Sequence, residues 1–306
     1  MSRGWVMGVL LGVGGLSAVT AAYQAQQAAA PKVIEVEKLK DNLFMLKGGG
    51  GNTAVFVTTT GVIVVDTKNP GWGQPILDKI KELTDKPVTT IVNTHTHGDH
   101  VSGNVAFPAT VDIVVQENTK TNMAKMMSPP GFTAADGPTV FQQNDGKGLP
   151  KRTFKDKMTI GKGADEVDLY YFGRGHTNGD AFVVFPALRV MHSGDIFAGK
   201  SLPLLDTNNG GSGVDIGDTL AKAHSSIKNV DSIITGHSTV MTWADLAEYA
   251  QFNKDFLAGV QAGVKAGKTP DDIAASWKIA DKYKGYNVQD GRVKQNVTAI
   301  AGELKK

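Results

Sequence analysis

Four potential metal ligands occupy six consecutive positions of this chain, in the segment His95-Thr-His97-Gly-Asp99-His100. The segment follows an apolar run from Val88 to Val92, so we expect the ligands to lie where a buried strand gives way to a loop. His95 and His97 would project to the same side of an extended segment, as two ligands of one cation must. The glycine between them and the last two ligands lets the backbone turn, which presents Asp99 and His100 to a second centre.

The chemistry of these side chains limits which metals they can bind. The chain contains no cysteine, so thiolate ligands and disulfides are excluded and any metal must be held by nitrogen and oxygen. Neutral imidazole and carboxylate suit Zn²⁺, and three protein ligands with an open position are typical of a catalytic site. The same ligand set accepts Fe or Mn. Single His and Asp residues often cap turns, but four of them at this spacing favour a metal site.

Length, composition and charge set the class of protein. The chain has 306 residues, of which 41% are hydrophobic, which is enough for a sizeable core in one large domain or two small ones. The formal net charge is +2 and no long basic run appears, which argues against a nucleic-acid partner. We therefore expect a small-molecule substrate, and nothing in the sequence indicates the oligomeric state.

The first 30 residues have the order of a secretory signal peptide. Arg3 supplies a positive start, an apolar stretch runs over 6–22, and small residues follow at 28–30. The alternative is an uncleaved anchor, but the apolar stretch is short and contains four glycines. The sequence therefore predicts a signal peptide at 1–30, a hydrolase domain at 31–306, a periplasmic or secreted bacterial protein, and no stable membrane anchor after cleavage.

The pattern of the remaining residues predicts two strand-rich halves, each followed by helices. In the first half we expect strands at 33–36, 43–46, 54–57 and 61–65, and helices near 76–83 and 117–127. In the second half we expect strands at 157–160, 166–172, 181–190 and 232–235, and helices near 219–227, from Trp243 to Val264, and from Thr269-Pro270. This pattern predicts two sheets packed face to face with helices outside.

Three more potential ligands follow predicted strands. His176, Asp195 and His237 each lie in a glycine-containing turn directly after an apolar strand. Asp66 ends the apolar run 61–65, where a carboxylate is costly unless it has a partner. Loops at strand ends carry functional residues on a rigid scaffold, so these side chains are candidates for the same site.

The order of these residues resembles the five motifs of the metallo-β-lactamase fold superfamily, from Asp66 to His237. The resemblance implies an α/β fold, an αββα four-layer sandwich of two mixed β-sheets with helices outside. It also implies two metals per chain, with Asp195 and a hydroxide shared between them and Asp66 as a supporting residue. The implied ligands are His95, His97 and His176 for one metal, and Asp99, His100 and His237 for the other.

The motif Ser193-Gly-Asp195-Ile-Phe197 resembles the branch with a bridging aspartate, such as glyoxalase II and lactonases. This implies a metallo-hydrolase: a dinuclear zinc-dependent enzyme that uses a metal-bound hydroxide on a small carbonyl ester, lactone, thioester or amide. Asp99 would be both ligand and catalytic residue, orienting the hydroxide and delivering a proton to the leaving group. No G-x-S-x-G motif offers a serine nucleophile.

Three alternatives remain open from the sequence. The first is a periplasmic β-lactamase, although β-lactamases proper usually lack the bridging aspartate and one large subclass uses a cysteine ligand. The second is an iron-dependent oxidoreductase similar to persulfide dioxygenases, which bind one iron. The third is a non-catalytic zinc-binding protein. Substrate choice would reside in the variable loops 129–150 and 198–213.

Overall fold

The computed structural model describes residues 32–133 and 137–305. The predicted signal peptide at 1–30 lies outside the described residues. The described residues from Ile34 onward group into one compact unit. None of the helices in the described parts of the chain is long and apolar enough to cross a membrane.

The first half of the chain forms a seven-stranded sheet whose strands lie side by side in sequence order. Strands β1 to β4 are antiparallel, whereas β4 to β7 are parallel, so the sheet is mixed as expected. The strands are β1 (Glu35–Lys40), β2 (Leu43–Lys47), β3 (Thr53–Val57), β4 (Val62–Val65), β5 (Val88–Val92), β6 (Asp112–Gln116) and β7 (Arg152–Phe154).

The second half forms a six-stranded sheet in the order β13-β12-β11-β10-β9-β8. Only the pair β11–β12 is parallel, so this sheet is mixed as well. The strands are β8 (Lys157–Ile160), β9 (Val167–Tyr170), β10 (Phe182–Phe185), β11 (Val190–Gly194), β12 (Ser232–Thr235) and β13 (Met241–Thr242).

Helices follow the strands in both halves. They are α1 (Gly73–Leu83), α2 (Gly98–Val101), α3 (Glu117–Met123), α4 (Ile216–Ser226), α5 (Trp243–Lys265), α6 (Pro270–Ser276) and α7 (Asp290–Glu303). A capping box begins α5, since the side chains of Thr242 and Asp245 each accept a hydrogen bond from the other's backbone N–H. Pro270 is the first residue of α6, as predicted.

Alternation of side chains along the strands produces the layers. Phe56 faces the space between the sheets, where its ring lies 5.2 Å from that of Phe185, whereas its neighbour Val55 packs on the outer face with Ile76 of α1. Residues on the outer face of the second sheet pack against α4, α5 and α7. The order is therefore helix, sheet, sheet, helix, which confirms the predicted αββα sandwich.

The structure corrects two of the predicted elements and adds others. The run 181–190 is not one strand but the antiparallel pair β10 and β11, because the chain reverses over Pro186–Leu188 and Arg189 takes a φ of 59°. The helix predicted to reach 127 ends at Met123. The elements that were not predicted are strands β6, β7 and β13 and helices α2 and α7.

Candidate metal centre

The ends of the central strands carry the predicted ligands to one edge of the sandwich. His95 follows β5, His176 follows β9, Asp195 directly follows β11, and His237 follows β12. His97, Asp99 and His100 lie at the start of α2, which begins at Gly98. The structure thus brings together His95, His97, Asp99, His100, His176, Asp195 and His237.

Three buried imidazoles, His95, His97 and His176, face one another in what we call the tri-histidine group. Nε2 of His176 lies 2.9 Å from Nδ1 of His97, and the centroids of the three rings are 4.5 to 4.8 Å apart. Oδ2 of Asp195 lies 3.8 Å from Nε2 of His176 and 4.0 Å from Nε2 of His95. One atom from each of these four residues lies within 4.8 Å of the others, close enough to share a cation.

The second set, Asp99, His100 and His237, we call the aspartate–histidine group. Nε2 of His237 lies 3.2 Å from Oδ2 of Asp99 and 3.3 Å from Nε2 of His100. Asp195 reaches this group too, with Oδ1 3.1 Å from Nε2 of His100 and Oδ2 3.2 Å from Nε2 of His237. The side chains of Asp99 and His237 are 32% and 40% exposed, so this group forms the open side of the cluster.

The tri-histidine group fits a divalent cation. Nε2 of His95 is buried without a hydrogen-bond partner in the described chain, although a buried polar atom normally has one. Burial and the neighbouring imidazoles lower the pKa of His95 well below its usual value, and burial beside His97 lowers the pKa of His176 to about 4. Both rings are therefore neutral near pH 7, as a metal ligand must be.

The aspartate–histidine group fits a cation in another way. Burial would lower the pKa of His237, but hydrogen bonds to Asp195 and Asp99 raise it to about 9. Burial would likewise lower the pKa of His100, yet the carboxylates of Asp195 and Asp66 raise it well above its usual value. Although burial opposes it, the charge of His100 and the hydrogen bond from His237 lower the pKa of Asp99 to about 2. The carboxylates thus keep His100 and His237 protonated and positively charged, and a cation can take the place of that charge.

Asp66 lies where a carboxylate that orients imidazoles would lie. Its Oδ2 is 2.7 Å from Nδ1 of His100 and accepts a hydrogen bond from the hydroxyl of Thr94, and its Oδ1 accepts one from the Thr94 backbone N–H. The same hydroxyl is 2.9 Å from Nδ1 of His95. Asp66 thereby contacts one imidazole directly and a second through Thr94.

Asp206 is a residue of the site that the sequence did not single out. Its Oδ2 lies 2.7 Å from Nε2 of His97 and accepts a hydrogen bond of 2.6 Å from the side chain of Asn209. Asp206 is fully buried in the loop between β11 and α4. The only signal available was a carboxylate within the variable loop 198–213, which does not distinguish it from other loop carboxylates.

Lys68 is a second residue that the sequence did not single out. Its side chain is fully buried, and Nζ donates hydrogen bonds to the carbonyls of Leu46 (2.9 Å) and Gly51 (2.7 Å). Burial lowers the pKa of Lys68 from 10.5 to about 7, although Asp66 and Asp99 act in the opposite direction. Buried lysines commonly pair with a carboxylate, so a lysine bound to two backbone carbonyls beside this cluster is unusual.

The two remaining histidines lie outside the cluster. His192 is buried in β11, where its Nε2 is 3.0 Å from the carbonyl of Asn52 and its Nδ1 accepts a hydrogen bond from the N–H of Gly194. His224 lies in α4, with its ring stacked on Trp243 at 4.8 Å.

Comparisons with known proteins agree with this geometry. The pattern of the metallo-beta-lactamase superfamily matches residues 46–237. A metallo-beta-lactamase type 2 of Elizabethkingia meningoseptica is 28% identical over 280 residues, which cover 86% of this chain and 97% of that protein. A hydroxyacylglutathione hydrolase of Nostoc punctiforme is 27% identical over 172 residues, which cover 56% of this chain and 54% of that protein. The solved structure of a metallo-beta-lactamase from Pontibacter korlensis superimposes with a TM-score of 0.59 at 19% identity, over 72% of this chain and 99% of that one.

Proposed function

The chain belongs to the metallo-beta-lactamase superfamily, and from that premise we propose that it is a dinuclear zinc-dependent hydrolase of a small carbonyl ester, lactone, thioester or amide. The observation that carries the proposal is the pair of ligand groups joined by one carboxylate, Asp195. A single structural zinc needs only one closed set of four ligands. Two groups, one of them open to solvent, favour catalysis.

The residues of the cluster divide naturally between two cations. The tri-histidine group would hold one cation, the aspartate–histidine group would hold the other, and Asp195 would contact both. When bound, such cations would supply a water whose pKa is lowered towards about 7 and a Lewis acid for the substrate carbonyl. Zinc is the default for imidazole and carboxylate ligands, with iron and manganese as alternatives.

Asp99 is the catalytic residue in this proposal. With a pKa of about 2 it is ionised at neutral pH, so its Oδ2 can accept a proton from the attacking water. Its side chain lies on the open side of the cluster, where a substrate can enter. The same oxygen then returns the proton to the leaving group, which completes hydrolysis without a serine or cysteine nucleophile.

β-Lactam cleavage is the second candidate substrate reaction. The observation in its favour is that the likeness to the Elizabethkingia metallo-beta-lactamase spans 97% of that protein. Against it, this chain has no cysteine and carries Asp195 between the two groups. Residues 1–30 support export, so we propose that the mature protein acts in the periplasm or outside the cell, with a small molecule as its substrate.

The proposal is tested by metal analysis of the purified mature protein together with a panel of lactone, thioester, ester and β-lactam substrates. We expect two zinc ions per chain and hydrolysis of at least one class. Asp99→Ala should lower kcat/KM by about 10²- to 10⁴-fold. Asp41→Ala is the control and should leave kcat/KM unchanged, because Asp41 is fully exposed in the turn between β1 and β2. One iron per chain with oxygen consumption, or full activity of Asp99→Ala, would overturn the proposal.

A further inference from the structure

Lys68 lies behind the aspartate–histidine group and has no part in the mechanism above. We propose that Lys68 is a positioning residue for the second cation: its two hydrogen bonds fix the glycine loop 48–51 against Asp99 and His100, and thereby set the affinity of the aspartate–histidine group. The inference rests on the proposed function, because it assumes that this group holds a cation.

The hydrogen bonds of Lys68 join two parts of the chain. The carbonyl of Leu46 belongs to strand β2, the carbonyl of Gly51 lies in the loop that connects β2 to β3, and Nζ donates to both. An amine donates two N–H bonds whether it is neutral or charged, so the link does not depend on the protonation of Lys68. Removing Nζ would leave two carbonyls without this buried partner, and the loop would shift to hydrate them.

The loop is fitted closely to the ligands, which is why its position matters. The N–H of Gly51 donates to the carbonyl of Asp99 at 3.0 Å. A Cβ on Gly51 would lie 2.2 Å from Cε1 of His100, and a Cβ on Gly50 would lie 2.6 Å from the carbonyl oxygen of Asp99. Only glycine backbone fits against this side of the imidazole, so the loop forms a wall that limits how far His100 can tilt.

The backbone around Lys68 supports the same ligands from the other direction. The N–H of Thr67 donates to the carbonyl of His100 at 2.7 Å, and the carbonyl of Lys68 accepts from the N–H of Gly103 at 3.1 Å. Asp66, two residues earlier, contacts Nδ1 of His100. The segment 66–68 therefore holds His100 by its carboxylate and backbone, while the lysine side chain holds the loop on the ring's other side.

A lysine that only fills space would affect folding and both cation sites alike. A positioning residue should affect one site, as groups that orient ligands without touching the metal typically change affinity by about 10- to 100-fold. The proposal therefore predicts a selective loss at the aspartate–histidine group, with the tri-histidine group unchanged.

The test is a Zn²⁺ titration of the cation-free full-length protein against a chromophoric chelator, which gives two dissociation constants. Lys68→Met keeps the length of the side chain and removes its donors. We expect the dissociation constant of the aspartate–histidine group, the weaker site, to rise about 10- to 100-fold, and that of the tri-histidine group to stay within about threefold. The matched control is Lys86→Met, because Lys86 also donates to a backbone carbonyl, that of Thr58, but lies on the surface.

Each outcome bears on the proposal. A second constant unchanged in Lys68→Met, or equal weakening at both sites, would overturn it. If Lys68→Met does not fold, Gly51→Ala displaces the same loop from His100, and an unchanged second constant there is equally decisive against it. A wild-type protein that binds only one Zn²⁺ contradicts the proposed function itself, whereas two wild-type ions with no effect of Lys68→Met contradict only this inference.

Discussion

The two ligand groups share Asp195 but are built in opposite ways. The tri-histidine group is buried, and burial keeps His95 and His176 neutral. The aspartate–histidine group is open on one side, and its carboxylates hold protons on His100 and His237. The difference shows how one cluster can offer two affinities: burial prepares neutral ligands in advance, whereas charge attracts a cation that must first displace protons.

The groups also differ in what supports them. Each imidazole of the tri-histidine group has an oxygen partner behind it: the hydroxyl of Thr94, the carboxylate of Asp206, and the carbonyl of Leu204 at 2.6 Å from Nδ1 of His176. In the aspartate–histidine group one of the two imidazoles, that of His100, has such a partner in the carboxylate of Asp66. We therefore expect the first group to be the more rigid and the tighter binding site.

The largest effect should follow from removing a member of the buried group. His176→Ala deletes one of the three imidazoles of this group, so it should abolish tight binding of the first cation and lower kcat/KM by more than the roughly 10- to 100-fold expected for loss of a merely supporting group. His224→Ala, at a histidine of α4 that stacks on Trp243, is the control and should leave zinc content and activity unchanged. Zinc content measured by elemental analysis, beside circular dichroism to verify folding, checks this. Normal activity with one zinc missing would break the comparison.

A smaller and more selective effect should follow from changing the carboxylate behind His97. Asp206→Asn keeps the size of the side chain but removes its charge, so it should weaken the first cation about 10- to 100-fold and leave the second nearly unchanged. Lys68→Met should have the opposite selectivity, since it should weaken binding of the second cation and leave the first unchanged. Competition titrations with a chelator measure both constants, and weakening of the second cation by Asp206→Asn would show that the groups are not independent.

The smallest effect is a dependence on pH that differs between the groups. Despite its burial, His237 has a pKa raised to about 9 by Asp195 and Asp99, so the cation-free group carries a proton at pH 7 that the second cation must displace. Its affinity should therefore fall about tenfold for each proton as pH is lowered from 8 to 7. The pKa of His176 is about 4, so its proton does not compete with the first cation in that range. Titrations at the two pH values test the contrast, and equal slopes would contradict it.

The sequence could single out the candidate ligands that the structure brings together because they are marked locally. His176, Asp195 and His237 each follow an apolar strand and a glycine, and this pattern is visible within a few residues. Asp206 and Lys68 carry no such mark. Asp206 meets His97 across 109 positions, and Lys68 meets Gly51 through a loop whose path only the folded chain defines. Tertiary contacts, which local patterns do not encode, determine what these two residues do.

The same reasoning explains the elements that were missed. The β10–β11 reversal lies in the run 181–190, which is apolar except at Arg189, and periodicity alone cannot separate two buried strands from one there. Helix α7 contains glycines near both ends and β-branched residues between them, which are weak helix formers. Its buried face, with Val293, Val297 and Ile300, packs into the core beside α5, and this packing stabilises a helix that propensity alone does not indicate.

The shared edge has a thermodynamic consequence for the sandwich as a whole. His95, His97, Asp99 and His100 extend from the first sheet, and His176, Asp195 and His237 from the second. A cation held by both sets would act as a non-covalent cross-link between two halves of the chain, tightening as free zinc rises. At a thousandfold excess over its dissociation constant, one such ion would add about 4 kcal/mol to the free energy of unfolding. Resistance to heat would then report how much zinc the surroundings supply.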